Sequence, residues 1–191
     1  MTDVYVLRLD DTDMLRARWD ILTERVSNEK RARLRSIRAF DDAARVLGAD
    51  LLLRMLIGRR TGLRVEDIRF GVSRCGKPFL LGEQGNALRF NASHSGQWVA
   101  VCIGSCENGV DIQQMRPIRK QTDPDAFFGE WVQREARLKC TGEGILGKPD
   151  GSLFCRSYNP DAGVKAAVCA VEDGFSDLLI VHLHELIRPL A

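Results

Sequence analysis

The sequence lacks the features of the commonest membrane, secreted and nucleic-acid-binding classes. None of its apolar runs is long enough to span a bilayer. The N-terminus has no basic segment followed by an apolar one, as a signal peptide would. The net charge of +2 is small and gives no reason to expect bulk binding to nucleic acid. We therefore expect a cytoplasmic protein that binds neither a membrane nor nucleic acid.

Cysteine is present but not in a metal-binding pattern. There is no CxxC pair, and cysteine never clusters with histidine at ligand spacing, so a zinc site is not expected. Without a secretion signal, we expect the cysteines to be reduced and mostly buried as small hydrophobic side chains. The six positions are Cys75, Cys102, Cys106, Cys140, Cys155 and Cys169.

Two familiar catalytic patterns are also missing. The chain has no GxxxxGKS/T phosphate loop and no GxSxG nucleophile elbow. Ser93 and His94 invite an interpretation as a serine hydrolase. However, adjacent residues on a strand point to opposite faces, so His94 cannot easily act as the base for Ser93.

The composition is that of a globular protein, with 45% hydrophobic and 28% charged residues. A chain of 191 residues fits one domain or two small lobes that share a core. Apolar periodicity predicts a strand, helices, strands, a helix and further strands, which is an α+β pattern in two similar halves. Predicted helices cover residues 13–26, a segment capped by Ser27, a segment opened by Asp41 and Asp42, and 123–140; predicted strands cover 4–9, 88–91, 98–104 and 109–113, followed by an antiparallel set at 152–157, 165–172 and 178–185.

A polar cluster at residues 91–95 precedes the apolar run at 98–103. It contains a carboxamide, two hydroxyls and an imidazole, from Asn91, Ser93, His94 and Ser95. Apolar strands whose edges carry such a cluster usually form the floor of a site.

Two carboxylates follow this cluster at informative spacings. Asp111 and Gln113 lie two apart on a predicted strand and face the same side. Trp131, Glu135 and Lys139 recur every four residues, so they share one stripe of a helix. Asp111 and Glu135 together would suit Mg²⁺, which prefers one or two carboxylates plus water and phosphate oxygens. Lys139 would then be able to reach those phosphates.

Further cations come earlier in the chain. Lys30, Arg33 and Arg45 lie on predicted helices, and Lys77 lies in a rigid Gly-Lys-Pro turn. Together with the two carboxylates, they suggest a polyanionic, nucleotide-like substrate.

Each of these features alone also has a plainer interpretation. Glu135 and Lys139 would form an ordinary pair on a solvated helix face. Trp131 is most simply a core anchor. Structural roles are also the plainer interpretation for His94 and for His182 and His184, which alternate on one face of a predicted strand.

In combination, these features resemble the surfactin-type 4′-phosphopantetheinyl transferases over about residues 4–186. Any one marker is weak, whereas seven in the right order and at roughly the right spacing are specific. They are Ser27-x-Glu29-Lys30-Arg31-x-Arg33, Asp42-Ala43-x-Arg45, Asp67-Ile68-x-Phe70, Gly76-Lys77-Pro78, Phe90-Asn91-x-Ser93-His94-Ser95-Gly96-x-Trp98, Gly109-Val110-Asp111-Ile112 and Trp131-x-x-Arg134-Glu135-Ala136-x-x-Lys139.

The resemblance implies two similar α/β lobes related by pseudo-twofold symmetry, here residues 1–105 and 106–191. It implies a monomer that binds coenzyme A in the cleft between the lobes. It also implies the reaction, in which a serine of an acyl or peptidyl carrier protein attacks the β-phosphate of coenzyme A. The phosphopantetheine arm is transferred, and adenosine 3′,5′-bisphosphate leaves.

The resemblance assigns roles to the residues found above. Asp111, Gln113 and Glu135 look like magnesium ligands at the pyrophosphate, and Glu135 or a metal-bound water is the implied base. Lys139 looks like a pyrophosphate contact that offsets charge on the leaving group. The implied clamp on the 3′-phosphate is Lys30, Arg33, Arg45 and His94, and the implied adenine-side and phosphate contacts are Lys77, Pro78 and Ser93.

The chain departs from the family pattern in three places. The family commonly has a glutamate where this chain has Gln113, whose amide brings no charge, so metal affinity should fall. The segment from Ile118 to Trp131 is short, and family members carry an extra helix there, near the site of carrier-protein docking. Arg134 replaces the usual lysine.

Two alternatives to an active transferase remain. One is a catalytically weak relative that binds coenzyme A without efficient transfer. The other is a small α+β interaction protein whose basic helix meets an acidic partner, although the ordered markers argue against it.

Overall fold

The structure is a computed structural model that describes residues 1–118, 123–142 and 147–187. Within these ranges, no helix is both long and apolar enough to cross a membrane. The helices are α1 (Thr12–Ala17), α2 (Trp19–Thr23), α3 (Asn28–Ser36), α4 (Phe40–Thr61), α5 (Pro124–Thr141) and α6 (Leu183–Ile187). The strands are β1 (Thr2–Arg8), β2 (Phe70–Val72), β3 (Pro78–Leu80), β4 (Arg89–Ser95), β5 (Trp98–Gly104), β6 (Asn108–Gln114), β7 (Phe154–Asp161), β8 (Val164–Ala170) and β9 (Phe175–Val181).

The first sheet has four strands in the order β4-β5-β1-β9. β5 is antiparallel to both of its neighbours, and all seven of its residues are buried. This burial explains the continuous apolar run of β5, because a strand covered on both faces has no polar side. One face of the sheet packs against α4 through side chains that include Leu47 and Leu52.

The second sheet has three strands in the order β6-β8-β7. One face packs against the first sheet in a cluster that contains Val6, Val110 and Val168. The other face packs against α5, where Ala136 meets Ala167 in a smaller cluster. The central part of the molecule therefore has four layers, which are α4, the first sheet, the second sheet and α5. β2 and β3 form a separate two-stranded hairpin.

Gly109 allows β6 to approach α5 closely. A Cβ atom at this position would lie 2.3 Å from both the carbonyl oxygen of Ala136 and the backbone nitrogen of Cys140. Only glycine permits such close contact between strand and helix. The contact fixes the position of α5 and therefore of Glu135 and Lys139.

The caps predicted for α3 and α5 are confirmed, whereas α4 begins at Phe40, before Asp41 and Asp42. Ser27 caps α3, since its Oγ accepts from the backbone N–H three residues later at 3.2 Å. Asp123 caps α5, which begins with a proline. α4 and α5 each end at a glycine with positive φ, 73° at Gly62 and 76° at Gly142.

The predicted helix over residues 13–26 is wrong in extent. The segment forms two short helices, α1 and α2, because Arg18 leaves the helical region with φ of −118°. Each piece still buries one of the apolar residues that suggested a helix, Leu15 in α1 and Leu22 in α2.

The prediction for the last strand is also wrong. β9 ends at Val181 and pairs parallel with β1, with Leu179 opposite Tyr5, instead of lying antiparallel beside β7 and β8. β1 is a buried strand, so its second edge needs backbone partners, and β9 supplies them. His182 and His184 follow the strand and do not alternate on its face; their rings stack with centroids 5.6 Å apart.

The expectation of reduced cysteines is wrong for one pair. Cys155 and Cys169 face each other across β7 and β8 and form a disulfide. Sequence spacing does not reveal this pairing, because it depends on strand register. Cys102 and Cys140 are buried thiols as expected, whereas Cys75 is exposed.

Candidate active site

Alternate side chains of β4 join the two sheets. Asn91 Oδ1 accepts a hydrogen bond from the backbone N–H of Val110 at 3.1 Å, and Ser95 Oγ accepts one from that of Gln114 at 3.1 Å. Ser93 lies between them on the same face of the strand. β4 and β6 belong to different sheets, so these side chains satisfy backbone groups at the junction. The polar spacing of this segment therefore has a structural cause.

Ser93, Asp111 and Lys139 form a closed triangle of polar contacts. Ser93 Oγ donates to Asp111 Oδ1 at 2.7 Å, and Lys139 Nζ lies 2.6 Å from the same oxygen and 2.8 Å from Ser93 Oγ. The side chain of Asp111 is 8% exposed and that of Lys139 is 30% exposed. A carboxylate this buried needs a cation, and Lys139 supplies it. The structure thus brings the carboxylate of Asp111 on β6 into contact with the ammonium of Lys139 on α5.

Glu135 lies one helical turn before Lys139. Its Oε1 is buried and has no hydrogen-bond partner among the described residues. Glu135 lines a cavity of about 320 Å³ together with Lys77, Pro78, Asn91 and Lys139. Burying a carboxylate oxygen without a hydrogen-bond partner costs free energy. A cation or a hydrogen-bond donor bound at this atom would therefore stabilise it.

The donor set fits a magnesium ion held partly by a substrate. Over the described parts of the chain, no group of three or more histidine, cysteine, aspartate or glutamate side chains is arranged to hold a metal. Asp111 and Glu135 provide two carboxylates, and Gln113 provides an amide whose Nε2 donates to Gln114 O at 3.3 Å. Magnesium is bound in this way, by one or two carboxylates plus water and phosphate oxygens.

Three of the predicted phosphate-binding cations lie on the helices α3 and α4. Lys30 Nζ lies 3.1 Å from Asp50 Oδ2. Arg45 Nη1 donates to the carbonyl oxygen of Gly96 at 2.7 Å and so ties α4 to the turn after β4. Arg33 is exposed on α3.

His94 lies on the opposite face of β4 from Ser93, as predicted, and is part of the accessible surface. Partial burial of its ring lowers the pKa of His94 from the usual 6.5, and the charges of Arg45, Lys139 and Arg33 lower it further. The imidazole is therefore neutral near pH 7. Arg33 of α3 and Arg45 of α4 act on His94 together with Lys139 of α5, whose ammonium contacts Ser93 on the other face of β4.

Comparison with known proteins identifies the family. Residues 13–106 match the family described as 4′-phosphopantetheinyl transferase, N-terminal. The chain is 30% identical to 4′-phosphopantetheinyl transferase Sfp of Bacillus subtilis (strain 168), over 85% of this chain and 90% of that protein. It is 31% identical to 4′-phosphopantetheinyl transferase ffp of Bacillus subtilis, over 83% of this chain and 88% of that protein. The chain belongs to the 4′-phosphopantetheinyl transferase family.

Membership confirms the surfactin-type resemblance and the expectation of a transferase enzyme. A further relative, 4′-phosphopantetheinyl transferase psf-1 of Bacillus pumilus, is 29% identical over 87% of this chain and 88% of its own length. The mixed α/β architecture with several sheets is consistent with the family. Residues 119–122 of the short segment before Trp131 lie outside the described residues.

Lys77 of the transferase is already hydrogen-bonded within the protein. Its Nζ contacts Glu107 Oε2 at 2.7 Å, the Asn108 carbonyl oxygen at 2.9 Å and the Cys140 carbonyl oxygen at 3.0 Å. An ammonium has three donors, and all three have acceptors here. Lys77 therefore connects the hairpin turn to β6 and α5, and it lines the cavity with an ammonium that is already engaged.

Glu107 was not among the residues predicted from the sequence, but it lies beside the predicted Lys77. Besides Lys77, it accepts from Arg89 Nε at 2.6 Å. Burial works in the opposite direction, but the bonds from Lys77 and Arg89 hold the pKa of Glu107 below its usual value. Glu107 lines a second cavity of about 600 Å³, which shares Lys77 and Pro78 with the smaller one. A single acid in a turn gives no sequence signal, because its two partners are brought to it by the fold.

The prediction that Trp131 anchors the core is wrong. Trp131 is 42% exposed and stacks on Phe127, with ring centroids 6.2 Å apart. Trp131 does share a stripe with Glu135 and Lys139, but that stripe lies beside the buried one. The buried stripe of α5 consists of Phe128, Val132, Ala136 and Cys140.

Proposed function

We propose that this transferase moves the 4′-phosphopantetheine group of coenzyme A to a serine of an acyl or peptidyl carrier protein. The observation that carries the proposal is the contact between Asp111 and Lys139 beside the buried, unpartnered Oε1 of Glu135. Glu135 and Lys139 line one cavity, and Lys139 contacts Asp111. This arrangement suits phosphoryl transfer because that reaction needs positioning and charge stabilisation.

Asp111 and Glu135, with the amide of Gln113, would hold Mg²⁺ at the pyrophosphate of coenzyme A. When bound, the ion supplies positive charge that neutralises the phosphate oxygens. The unpartnered Oε1 of Glu135 and the oxygen-only donor set support this assignment.

Glu135 is the proposed base for the incoming serine. Its Oε1 has no donor among the described residues, so it can accept the hydroxyl proton. The serine oxygen forms a bond to the β-phosphorus as the bond from that phosphorus to the leaving phosphate breaks. Adenosine 3′,5′-bisphosphate departs with the electron pair of the broken bond.

Lys139 is the proposed stabiliser of that leaving group. Its ammonium lies 2.6 Å from Asp111 in the structure and lines the same cavity as Glu135. From this position it would contact the pyrophosphate and offset charge that develops on the departing phosphate. Ser93, which accepts from Lys139, would hold the ammonium and add a polar contact near the phosphates.

The nucleotide end of coenzyme A would lie along the two cavities that share Lys77 and Pro78, and along the face of β4 that carries His94. Burial and the charges of Arg45, Lys139 and Arg33 lower the pKa of His94, and these charges support a phosphate site there. The proposed 3′-phosphate clamp is Lys30, Arg33, Arg45 and His94, and the proposed adenine-side contacts are Lys77 and Pro78.

We also propose two similar lobes related by pseudo-twofold symmetry, residues 1–105 and 106–191. Each range contributes one long helix, α4 or α5, that covers one sheet. β9 of the second range pairs with β1 of the first, so a strand of the second lobe completes the sheet of the first lobe. One chain then contains the whole site, which supports a monomer, and we propose that it acts in the cytoplasm.

A second candidate function is coenzyme A binding with weak transfer. Gln113 favours it, because an amide in the place of a third carboxylate weakens the attraction for Mg²⁺.

Intact-protein mass spectrometry tests the proposal. We expect an apo carrier protein incubated with Mg²⁺, coenzyme A and this enzyme to gain the mass of one phosphopantetheine. Calorimetric binding of coenzyme A without a mass gain on any of several carriers would favour the second candidate. If coenzyme A does not bind at all, both candidates are contradicted.

A further inference from the structure

A buried ion pair lies in the middle of α4. Asp50 is 5% exposed, and Arg54, one turn later, is 2% exposed. Arg54 Nε lies 2.5 Å from Asp50 Oδ1. A carboxylate at this depth requires a cation, and Arg54 meets that requirement alone.

Arg54 is held by the core on several sides. Its Nη1 donates to the carbonyl oxygens of Val65 at 3.0 Å and Ile68 at 2.9 Å, and its guanidinium carbon lies 5.0 Å from the centroid of the Phe70 ring. These contacts fix Arg54, so Asp50 has a fixed position as well.

Lys30 is a second cation on the same carboxylate. Its Nζ lies 3.1 Å from Asp50 Oδ2, whereas Arg54 uses Oδ1. Two cations and one carboxylate leave a net charge of +1. This surplus lies at the solvent side, because the Lys30 side chain is 27% exposed and that of Arg54 only 3%. One contact with Asp50 leaves two of the three ammonium donors for an anion.

We propose that Asp50 is a positioning residue that directs Lys30 towards the 3′-phosphate of coenzyme A. The inference rests on the proposed function, which assigns Lys30 to that phosphate. A free lysine side chain carries about 2 kcal/mol of rotamer entropy. A fixed carboxylate at its tip orders the ammonium before the nucleotide binds, so less ordering remains for the binding step. Arg33 lies three residues later on α3 and extends the same cationic face.

The test compares coenzyme A with 3′-dephospho-coenzyme A, which lacks only the phosphate in question. The quantity of interest is kcat/KM for coenzyme A divided by kcat/KM for the dephospho form. We expect this ratio to fall about 10-fold in Asp50→Asn and in Lys30→Met, as for the loss of one charged hydrogen bond. The double variant should show little further loss, because both changes act through one ammonium.

Two further variants separate positioning from folding. Leu52→Ala truncates a fully buried side chain elsewhere on α4 and should lower thermal stability without changing the ratio. Asp50→Asn combined with Arg54→Met removes both buried charges, which is less destabilising than leaving one unpaired. If Asp50→Asn alone folds poorly, this double variant replaces it in the test and should show the same loss in the ratio.

Several outcomes would overturn the inference. An unchanged ratio in Asp50→Asn, or an equal loss on both substrates that follows thermal stability, would mean that the ion pair is only structural. A rise in the ratio would mean that Asp50 competes with the phosphate for Lys30. If the wild-type enzyme primes no carrier, the proposed function fails, and calorimetric affinities of the same variants for the two nucleotides test Asp50 separately.

Discussion

Burial and nearby positive charges favour the neutral form of His94. Burial and the cations Arg45, Lys139 and Arg33 lower the pKa of His94 from 6.5. A phosphate bound among these cations would reverse the electrostatic balance and raise the pKa again. His94 would then take up a proton when coenzyme A binds. In the protein without ligand, the unfolded chain protonates His94 first, so folding stability should fall as the pH drops below about 6.5.

We expect the affinity for coenzyme A to rise as the pH falls from about 8 to about 6, because the complex holds more protons than the free enzyme. Calorimetry across this range measures the slope. The 3′-phosphate of coenzyme A also titrates near pH 6 and contributes to the slope. The His94→Gln variant keeps this contribution and loses that of His94, so it is the reference for the wild-type slope. His184→Gln changes an exposed histidine of α6 and should keep the wild-type slope. Equal slopes for wild type and His94→Gln would contradict the assignment of His94 to the phosphate.

Single residues differ in how far the sequence reveals them. The alternation of strand residues correctly separates Ser93 from His94. The sequence predicts that Lys139 reaches the phosphates of a substrate, whereas its contact with Asp111 in the structure was not predicted. The partners of Lys77 and Lys30, which are Glu107 and Asp50, do not follow from spacing, because they come from elements that meet only in the folded chain.

The element that carries the proposed catalytic residues Glu135 and Lys139 is α5, and Gly109 allows its close approach to β6. The missing Cβ leaves room for the backbone of Ala136 and Cys140, which cannot move aside as a flexible side chain could. Lys139 lies between these two residues in sequence, so its contact with Asp111 depends on the same close packing.

We expect Gly109→Ala to destabilise the protein by about 1–3 kcal/mol or more, because the new methyl group overlaps helix backbone. Thermal unfolding measures this loss as a lower Tm. The matched control is Gly129→Ala at a half-buried position of α5, where a Cβ meets no atom within 4 Å. That change should be neutral or should stabilise the helix by up to about 1 kcal/mol. If the two variants have the same Tm, Gly109 does not set the helix position.

Elements with strong local signals follow from the sequence, whereas those that depend on pairing do not. The ends of α3 and α5 are predicted because Ser27 and Asp123 act through backbone groups within a few residues. The parallel pairing of β9 with β1 brings together the two ends of the chain, and local periodicity carries no information about that choice. Register likewise decides the Cys155–Cys169 disulfide.

For the molecule as a whole, the proposed site lies where two sheets meet. Asn91, Ser93 and Ser95 of one sheet bond to β6 of the other, and α5 closes against β6. The order of motifs along the chain was enough to indicate the family, because several motifs map to this junction or to the cations beside it. The layer order α4, sheet, sheet, α5 could not be predicted, since it depends on which apolar faces pack together.

The most direct test of the proposed site is the rate at which the enzyme adds phosphopantetheine to an apo carrier protein in the Glu135→Gln variant. We expect a loss of at least about 100-fold, because the change removes both the proposed base and a proposed magnesium ligand, while the similar shape of glutamine keeps the fold. Glu130→Gln, an exposed position on the same helix, is the matched control and should stay within about twofold of wild type. A near-normal rate in a folded Glu135→Gln enzyme would contradict the proposed role of Glu135 as base and magnesium ligand.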